Sequence, residues 1–291
     1  DLVERLRIAG LNLMGVDIGE LDITRSYNVL DCFRSFDPDL VINCAAYTAV
    51  DKAESESELA FSVNRDGTAN LSKACKEIRI PFIHISTDYV FNGNAKRPYR
   101  EADPVSPIGI YGRSKWEGEE AVRSFLERHI IIRTSWLYGV HRHNFVKTIL
   151  RLAEEKDEIR VVADQKGCPT WTGDLADALV TIVQKIGENS NKVSWGTYHY
   201  CGSGNTTWYE FAVAIVKEAS RRSPGKPARI LPIPTSDYPT PARRPMWSVM
   251  DCGKIRDTFD NKPQKWEKSL RVMIESLYKK KGRERRAHEK K

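Results

Sequence analysis

Tyr111 and Lys115 stand four residues apart in the stretch YGRSK, at the start of a run with helical periodicity. At i and i+4, two side chains leave one face of a helix about one turn apart. A phenol with a reference pKa near 10 is a poor acid at neutral pH, but an ammonium group beside it stabilises the phenolate and lowers that value. Such a pair can deliver a proton to an oxyanion as it forms. With 11 tyrosines in a lysine-rich chain, one chance Y-x-x-x-K is expected, so position decides whether this one matters.

The pair follows the apolar run PFIHIST, whose end carries the hydroxyls of Ser86 and Thr87 beside Asp88. In a doubly wound sheet, ligands lie beyond the carboxyl ends of the strands. Thr87 is thereby placed to hydrogen-bond a substrate oxygen together with Tyr111. Without the tyrosine, a hydroxyl satisfying a nearby backbone group is the plainer reading.

The elements that must position these groups alternate between helical and strand patterns through the first two hundred residues. This favours an α/β fold with a doubly wound parallel sheet. DLVERLRIAG reads as an amphipathic helix stopped at Gly10, and LNLMGVD as a strand. TRSYNVLDCFRSF is a helix with Thr24 as a candidate cap, broken at Asp37-Pro38-Asp39. LVINCAA has the continuous apolar character of a strand buried on both faces. Then come a long helix SELAFSVNRDGTANLSKACKEI, the strand PFIHIST, the helix GRSKWEGEEAVRSFL and the strand HIIIRTSW.

From about Asn144 the rhythm loosens into a helix NFVKTILRLAEEK, a short strand IRVVAD, a helix from Asp174 to Lys185 and a strand GTYHYCG. Thr207 and Glu210 have capping-box spacing ahead of FAVAIVKEA. The proline-rich stretch from Pro224 to Pro245 reads as a long irregular segment serving as a binding or lid loop.

A sheet of this kind opens with a strand and a glycine-rich turn, where backbone N–H groups and a helix dipole hold a pyrophosphate. Gly10, Gly15 and Gly19 lack G-x-G-x-x-G or G-x-x-G-x-x-G spacing and follow the first helix. The expectation is that a first strand and its glycine loop, about a dozen residues, are absent from this sequence, which leaves activity of the chain as written open. Asp17 ends the predicted second strand. A carboxylate there accepts hydrogen bonds from an adenosine ribose 2′-OH and repels a 2′-phosphate, favouring NADH slightly over NADPH, with Arg25 close enough to soften that preference.

The chain has 291 residues, 41% of them hydrophobic, enough for one large domain or a domain with a smaller lobe. No apolar run is long enough to span a membrane and no leader pattern opens the chain, so a cytoplasmic protein is expected. The six cysteines are scattered and form no C-x-x-C pair, consistent with buried free thiols rather than zinc or a disulfide framework. The two histidines of GVHRHNF, His141 and His143, lack acidic neighbours and read as solvent-facing, so no metal is expected. Of the net charge of +7, the tail KKKGRERRAHEKK contributes eight Lys/Arg against two Glu. The body before it is close to neutral, so a nucleic-acid partner is not expected and the tail reads as a frayed, disordered end.

Six stretches in order, INCAAYTAVDKAESE, STDYVFNG, SPIGIYGRSKWEGE, RTSWLYG, DQKGCPTWTGDLA and ARRPMWSVMD, resemble the dTDP-4-dehydrorhamnose reductases. These are a branch of the extended short-chain dehydrogenase/reductase superfamily, and the resemblance covers residues 1 to about 278. It implies a Rossmann-type dinucleotide-binding domain, 1–143 plus 171–203, with a smaller substrate-binding lobe, 144–170 plus 204–278, ahead of the tail 279–291. It also implies reduction of the C4 ketone of a dTDP-linked 4-keto-6-deoxysugar by NADPH or NADH, in nucleotide-sugar and polysaccharide biosynthesis. No membrane partner is implied, and a homodimer is compatible.

Residue by residue, the resemblance makes Tyr111 the proton donor to the sugar. Lys115 becomes its partner and a donor to the nicotinamide ribose, and Thr87 the hydroxyl that tunes the tyrosine and holds substrate. Asp88 would touch the sugar and Trp136 pack on it, while Arg244, more than Arg243, would reach the diphosphate. Asp17, Asp22 and Ile23 match the adenosine end of the dinucleotide, and Ala46, Tyr47 and Thr48 the turn along its phosphates and ribose. The glycine loop and the basic tail depart from the family pattern. Two other readings stay open: a reductase of a different nucleotide-linked 4-ketosugar, and a non-catalytic NADP-binding partner like the regulatory β subunit of methionine adenosyltransferase, which shares these motifs. Retention of Thr87, Tyr111, Lys115 and Trp136 together favours the enzyme.

Overall fold

The computed structural model describes residues 1–222 and 227–288, the stretch 280–288 as helical backbone. Four strands, Val41–Asn43, Phe82–Thr87, His129–Thr134 and Gly196–His199, form a parallel sheet in that order. The two long strands are in full register, Phe82 opposite His129 and Thr87 opposite Thr134, so their carboxyl ends finish level. Alternate residues explain the near-continuous apolar runs. Ile83, Ile130 and Ile132 pack under the helix Thr172–Asn189 through Leu175, Leu179 and Ile182. Phe82 and Ile131 face Leu71 and Cys75 of Thr68–Ile78 and Val122 of Ile110–Phe125. With both faces covered by helices, polar alternation has no place in these strands.

A second cluster lies around a two-stranded parallel ribbon, Glu158–Val162 with Arg229–Ile233. The helices Phe145–Glu155, Trp208–Ser220 and Trp266–His288 cover it, burying Val146, Ile149, Phe211, Ile215, Leu270, Met273 and Ile274. The capping box forms as its spacing predicts: Thr207 accepts from the Glu210 amide at 3.1 Å and Glu210 accepts from the Thr207 amide at 3.0 Å. The helix Gly253–Phe259 belongs to the other cluster, packing Ile255 and Phe259 against the four-stranded sheet.

Several expectations are corrected. LNLMGVD is not a strand: residues 11–17 pair with no other strand, and Met14 and Val16 are exposed. A strand persists only where its backbone groups find a ladder, and the outer edge of Val41–Asn43 carries none among the described residues. Thr24 does not cap the following helix, because its hydroxyl donates to Asp22 instead, and Arg25 occupies the cap position. The stretch 224–245 is not wholly irregular, since Arg229–Ile233 is a paired strand; its first residues, 224–226, lie outside the described residues.

The expected frayed tail continues as helix to His288, its last three residues lying outside the described ones. Lys, Arg, Glu and Ala are good helix formers, and propagation from a packed first half costs little. Of the six free thiols Cys75, Cys168 and Cys201 are buried, but Cys44 is exposed. Among the described residues no helix is long and apolar enough to cross a membrane.

Candidate active site

The helix Ile110–Phe125 is fixed to the sheet by a buried charge network. Glu119 is fully buried and accepts from Arg133 Nε at 2.9 Å and Nη2 at 2.7 Å, and from the Ser86 hydroxyl at 2.5 Å. One carboxylate thus ties the helix to two strands and sets how far the helix slides along them. Two glycines permit the approach. A Cβ on Gly112 would lie 2.2 Å from the Tyr89 carbonyl oxygen, and one on Gly118 would lie 2.2 Å from that of Asn64. The first turn of the helix therefore stands at the carboxyl ends of the strands, the ligand edge of such a sheet.

That turn carries Tyr111, half-buried, edge-on to Tyr89 with ring centroids 5.5 Å apart. Burial pushes the Tyr111 phenol up to about 12, opposed by a hydrogen bond with Thr87. One turn on, Lys115 is 2% exposed. Its Nζ donates to the Ile85 carbonyl at 2.7 Å and lies 3.3 Å from His84 Nε2. Burial lowers its pKa to about 8, opposed by the negative charge of Glu119. The expectation that Lys115 lowers the tyrosine pKa is not met here. Burial of the ring dominates the tyrosine, and Lys115 Nζ is directed to the Ile85 carbonyl.

Thr87 donates to Asp88 Oδ1 at 3.1 Å and accepts from the Tyr89 amide at 3.2 Å, so its hydroxyl serves both the Asp88 carboxyl and a backbone cap. Asp88 is buried and its Oδ2 makes no hydrogen bond. Burial raises its carboxyl to about 6 against the Ser248 and Thr87 hydroxyls. Tyr111, Lys115, Thr87 and Asp88, singled out from sequence, are therefore brought together.

Tyr47, between Ala46 and Thr48, is tied to the same helix at Ser114 through a residue that sequence reasoning missed. Asn64 sits in a π-helical turn, Ser62–Gly67, between the helices Ser57–Phe61 and Thr68–Ile78. Its side chain accepts from the Tyr47 amide at 2.9 Å and donates to the Tyr47 carbonyl at 3.1 Å and to the Ser114 hydroxyl at 2.9 Å. The Tyr47 hydroxyl donates to Glu56 at 2.5 Å. Asp22 accepts from the Thr24 amide and hydroxyl at 3.0 and 2.7 Å, which holds its pKa below the usual range. Ile23 is buried, and its carbonyl accepts from Asn70 at 3.0 Å.

Asp17 ends no strand. It is exposed and paired with Arg142, so the geometric ground for preferring NADH over NADPH is gone. Arg244 grips Asp51 with both terminal nitrogens, at 3.0 and 2.7 Å, while Asp51 also accepts from the Ala242 amide at 3.2 Å. Trp136 adopts a left-handed backbone with φ 47°, and its ring stacks on Trp208 at 3.5 Å. A residue held in that region stores strain, a feature that clusters at functional sites.

A parallel sheet carrying a tyrosine–lysine helix and a threonine at its carboxyl edge defines a Rossmann-type reductase of the extended short-chain dehydrogenase/reductase class. The family model described as the RmlD substrate binding domain matches residues 1–279. A dTDP-4-dehydrorhamnose reductase of Sinorhizobium fredii is 44% identical over 256 residues, 88% of this chain and 86% of that protein. The solved dTDP-4-dehydrorhamnose reductase of Clostridium acetobutylicum superposes with a TM-score of 0.87 at 37% identity, covering 95% of this chain and 94% of that one. That of Bacillus anthracis, solved in complex with NADP, gives 0.85 at 36% identity, covering 94% of each chain. The chain belongs to the dTDP-4-dehydrorhamnose reductase family.

A nicotinamide cofactor is the group this family implies, and the residues fit its nicotinamide–ribose end. A phenol, a threonine hydroxyl and a lysine converge at the strand ends, and the unpartnered Asp88 Oδ2 is a buried acceptor awaiting a ligand's donor. No stretch has the G-x-G-x-x-G spacing of a pyrophosphate cradle, so the fit covers that end alone.

Proposed function

We propose that this chain reduces the C4 ketone of dTDP-4-dehydro-L-rhamnose to dTDP-L-rhamnose, with NADPH or NADH as reductant, in the cytoplasm. The observation that carries the reading is that Tyr111 and Lys115 stand one helical turn apart at the carboxyl ends of the sheet, with Thr87 ending the strand Phe82–Thr87. When bound, the nicotinamide supplies the hydride. The protein's own groups place the ketone and manage the proton.

With its pKa near 12, the Tyr111 hydroxyl is protonated at neutral pH and available as the donor to the alkoxide that forms at C4. Thr87 holds the same oxygen from the side. Asp88 Oδ2 takes a hydroxyl donor of the sugar, and Trp136, held by its stack on Trp208, packs on the sugar ring. Arg244 neutralises the diphosphate, exchanging its bond with Asp51 for charge-assisted bonds to phosphate oxygens. In this reading residues 1–143 with 171–203 carry the dinucleotide. Residues 144–170 with 204–278 carry the sugar nucleotide.

The test is to follow oxidation of NADPH and NADH separately with dTDP-4-dehydro-L-rhamnose and identify dTDP-L-rhamnose by mass and chromatography. Oxidation of either cofactor that depends on the ketosugar supports the reading. Cofactor binding with no ketosugar turnover overturns it.

A further inference from the structure

His84 lies in the middle of the strand Phe82–Thr87, fully buried, with Lys115 on one side and Asn43 on the other. Its tautomer is set by its neighbours. The Asn43 side-chain oxygen accepts from the Ala45 amide at 2.9 Å, which leaves its NH2 group, a donor only, facing His84 Nδ1 at 3.2 Å. Nδ1 must then accept, and a neutral ring carries its proton on Nε2. Burial, the largest cause, holds the imidazole pKa well below its ordinary value, so the ring is neutral.

The Nε2–H group consequently points at Lys115 Nζ, 3.3 Å away, while Nζ itself donates to the Ile85 carbonyl at 2.7 Å. An ammonium has three donors and no acceptor, so it meets the ring proton-to-proton. A neutral amine has one lone pair and fits the ring. Cys44 and Glu119 are the other titratable groups that act on Lys115, and neither supplies a donor to it.

Resting on the reductase reading above, we infer that His84 is a positioning residue which, locked by Asn43 with its proton on Nε2, favours the uncharged amine of Lys115 in the resting site. The ammonium is favoured when a ligand draws Nζ away from the ring. Pairing with Tyr111 is thereby weighted toward the loaded enzyme, because a buried cation facing a hydrogen-bond donor is costly.

The test has two arms. Long-range nitrogen–proton NMR of the imidazole side chains in the intact free protein, with His84 assigned by His84→Gln, reads the tautomer directly and needs no turnover. The expected result is Nδ1 with the shift of an unprotonated nitrogen and Nε2 with that of a protonated one. A proton on Nδ1, or on both nitrogens, overturns the inference even if the ketosugar is reduced. The correct tautomer upholds the ring geometry even if the ketosugar proves to be the wrong substrate.

The second arm is the pH profile of kcat/KM, which reports the free enzyme. Gln at 84 can turn an oxygen to Nζ, and Asn43→Ala frees the ring to present an unprotonated Nε2, so both variants stabilise the ammonium. Each is expected to move the alkaline limb of kcat/KM upward by about one pH unit, whereas a purely structural role would lower kcat/KM without moving that limb. Limbs that stay in place in both folded variants overturn the inference. Should either variant fail to fold, the NMR arm on the wild-type protein decides.

Discussion

Asn64 donates to the Ser114 hydroxyl at 2.9 Å while gripping both backbone polar groups of Tyr47. Through this one side chain the loop after the first sheet strand is tied to the helix Ile110–Phe125, at the residue next to Lys115. The π-helical turn at Ser62–Gly67 turns Asn64 inward, and the bare Cα of Gly118 lets the two helices meet at its carbonyl. The loop carrying Tyr47 is therefore linked to the helix of Tyr111 and Lys115 through Asn64.

Tyr111→Phe keeps the ring and its edge contact with Tyr89 but removes the only proton this reading assigns to the C4 oxygen. Turnover is expected to fall by at least about a hundredfold while cofactor binding, followed by quenching of protein fluorescence, is unchanged. Wild-type turnover in the phenylalanine variant would remove Tyr111 from its role.

Asp88 makes a pH prediction with a definite sign. Its carboxyl is raised to about 6 in the fold, above the usual carboxylate range. Below about pH 4 the group is neutral in both the folded and unfolded chain and costs nothing. Stability falls as pH rises from there through about 6, and above that the full cost of a buried, under-bonded carboxylate is carried, on the order of 2–3 kcal/mol. Asp88→Asn is expected to raise the melting temperature at neutral pH, with the gain vanishing near pH 4. Its KM for the sugar nucleotide should rise. Equal melting temperatures at every pH would show that the carboxyl is not strained by burial.

Much of this site was legible in the sequence, for reasons specific to each residue. Tyr111 and Lys115 follow from helical spacing, and Thr87 and Asp88 from their place at the end of an apolar run. His84 sits inside that same run, PFIHIST, where a lone ring in an apolar strand was the available signal. Asn64 was hidden because a π turn shifts the helical period and no local residue announces it. LNLMGVD has strand character but finds no ladder, so Asp17 loses the strand end from which its ribose contact was argued. The strand Arg229–Ile233 was obscured by the prolines around it, which removed the expected pattern without preventing parallel pairing on the edge of Glu158–Val162.

Arg244 and Asp51 face each other as a two-pronged pair, with Arg244 still partly exposed at 23%. A lysine at this position keeps the charge but not the planar fork that matches two phosphate oxygens. Arg244→Lys is expected to weaken inhibition by free dTDP by about tenfold, with kcat at saturating sugar nucleotide changed by less than about threefold. An inhibition constant for dTDP identical to wild type would place the diphosphate elsewhere.

The last prediction concerns what holds the catalytic helix in register. Arg133 and Glu119 are 2% and 0% exposed, so neither charge is solvated; Arg133 depends on Glu119, which also accepts from Arg123 at 2.7 Å. Glu119→Gln preserves shape and the Ser86 contact but leaves the Arg133 guanidinium uncompensated between Phe91 and Trp116. Removing one partner of a buried pair costs about 3–5 kcal/mol, whereas replacing both with apolar residues is often close to neutral. Urea denaturation should therefore show a large loss for Glu119→Gln and a much smaller one for the double variant Glu119→Leu/Arg133→Met. If the pair also positions the helix, the double variant will be stable yet slow, because nothing then fixes the first turn of the helix against Thr87. A double variant that is both stable and fully active would assign the charges to folding alone and leave the glycine contacts at Gly112 and Gly118 to set the register.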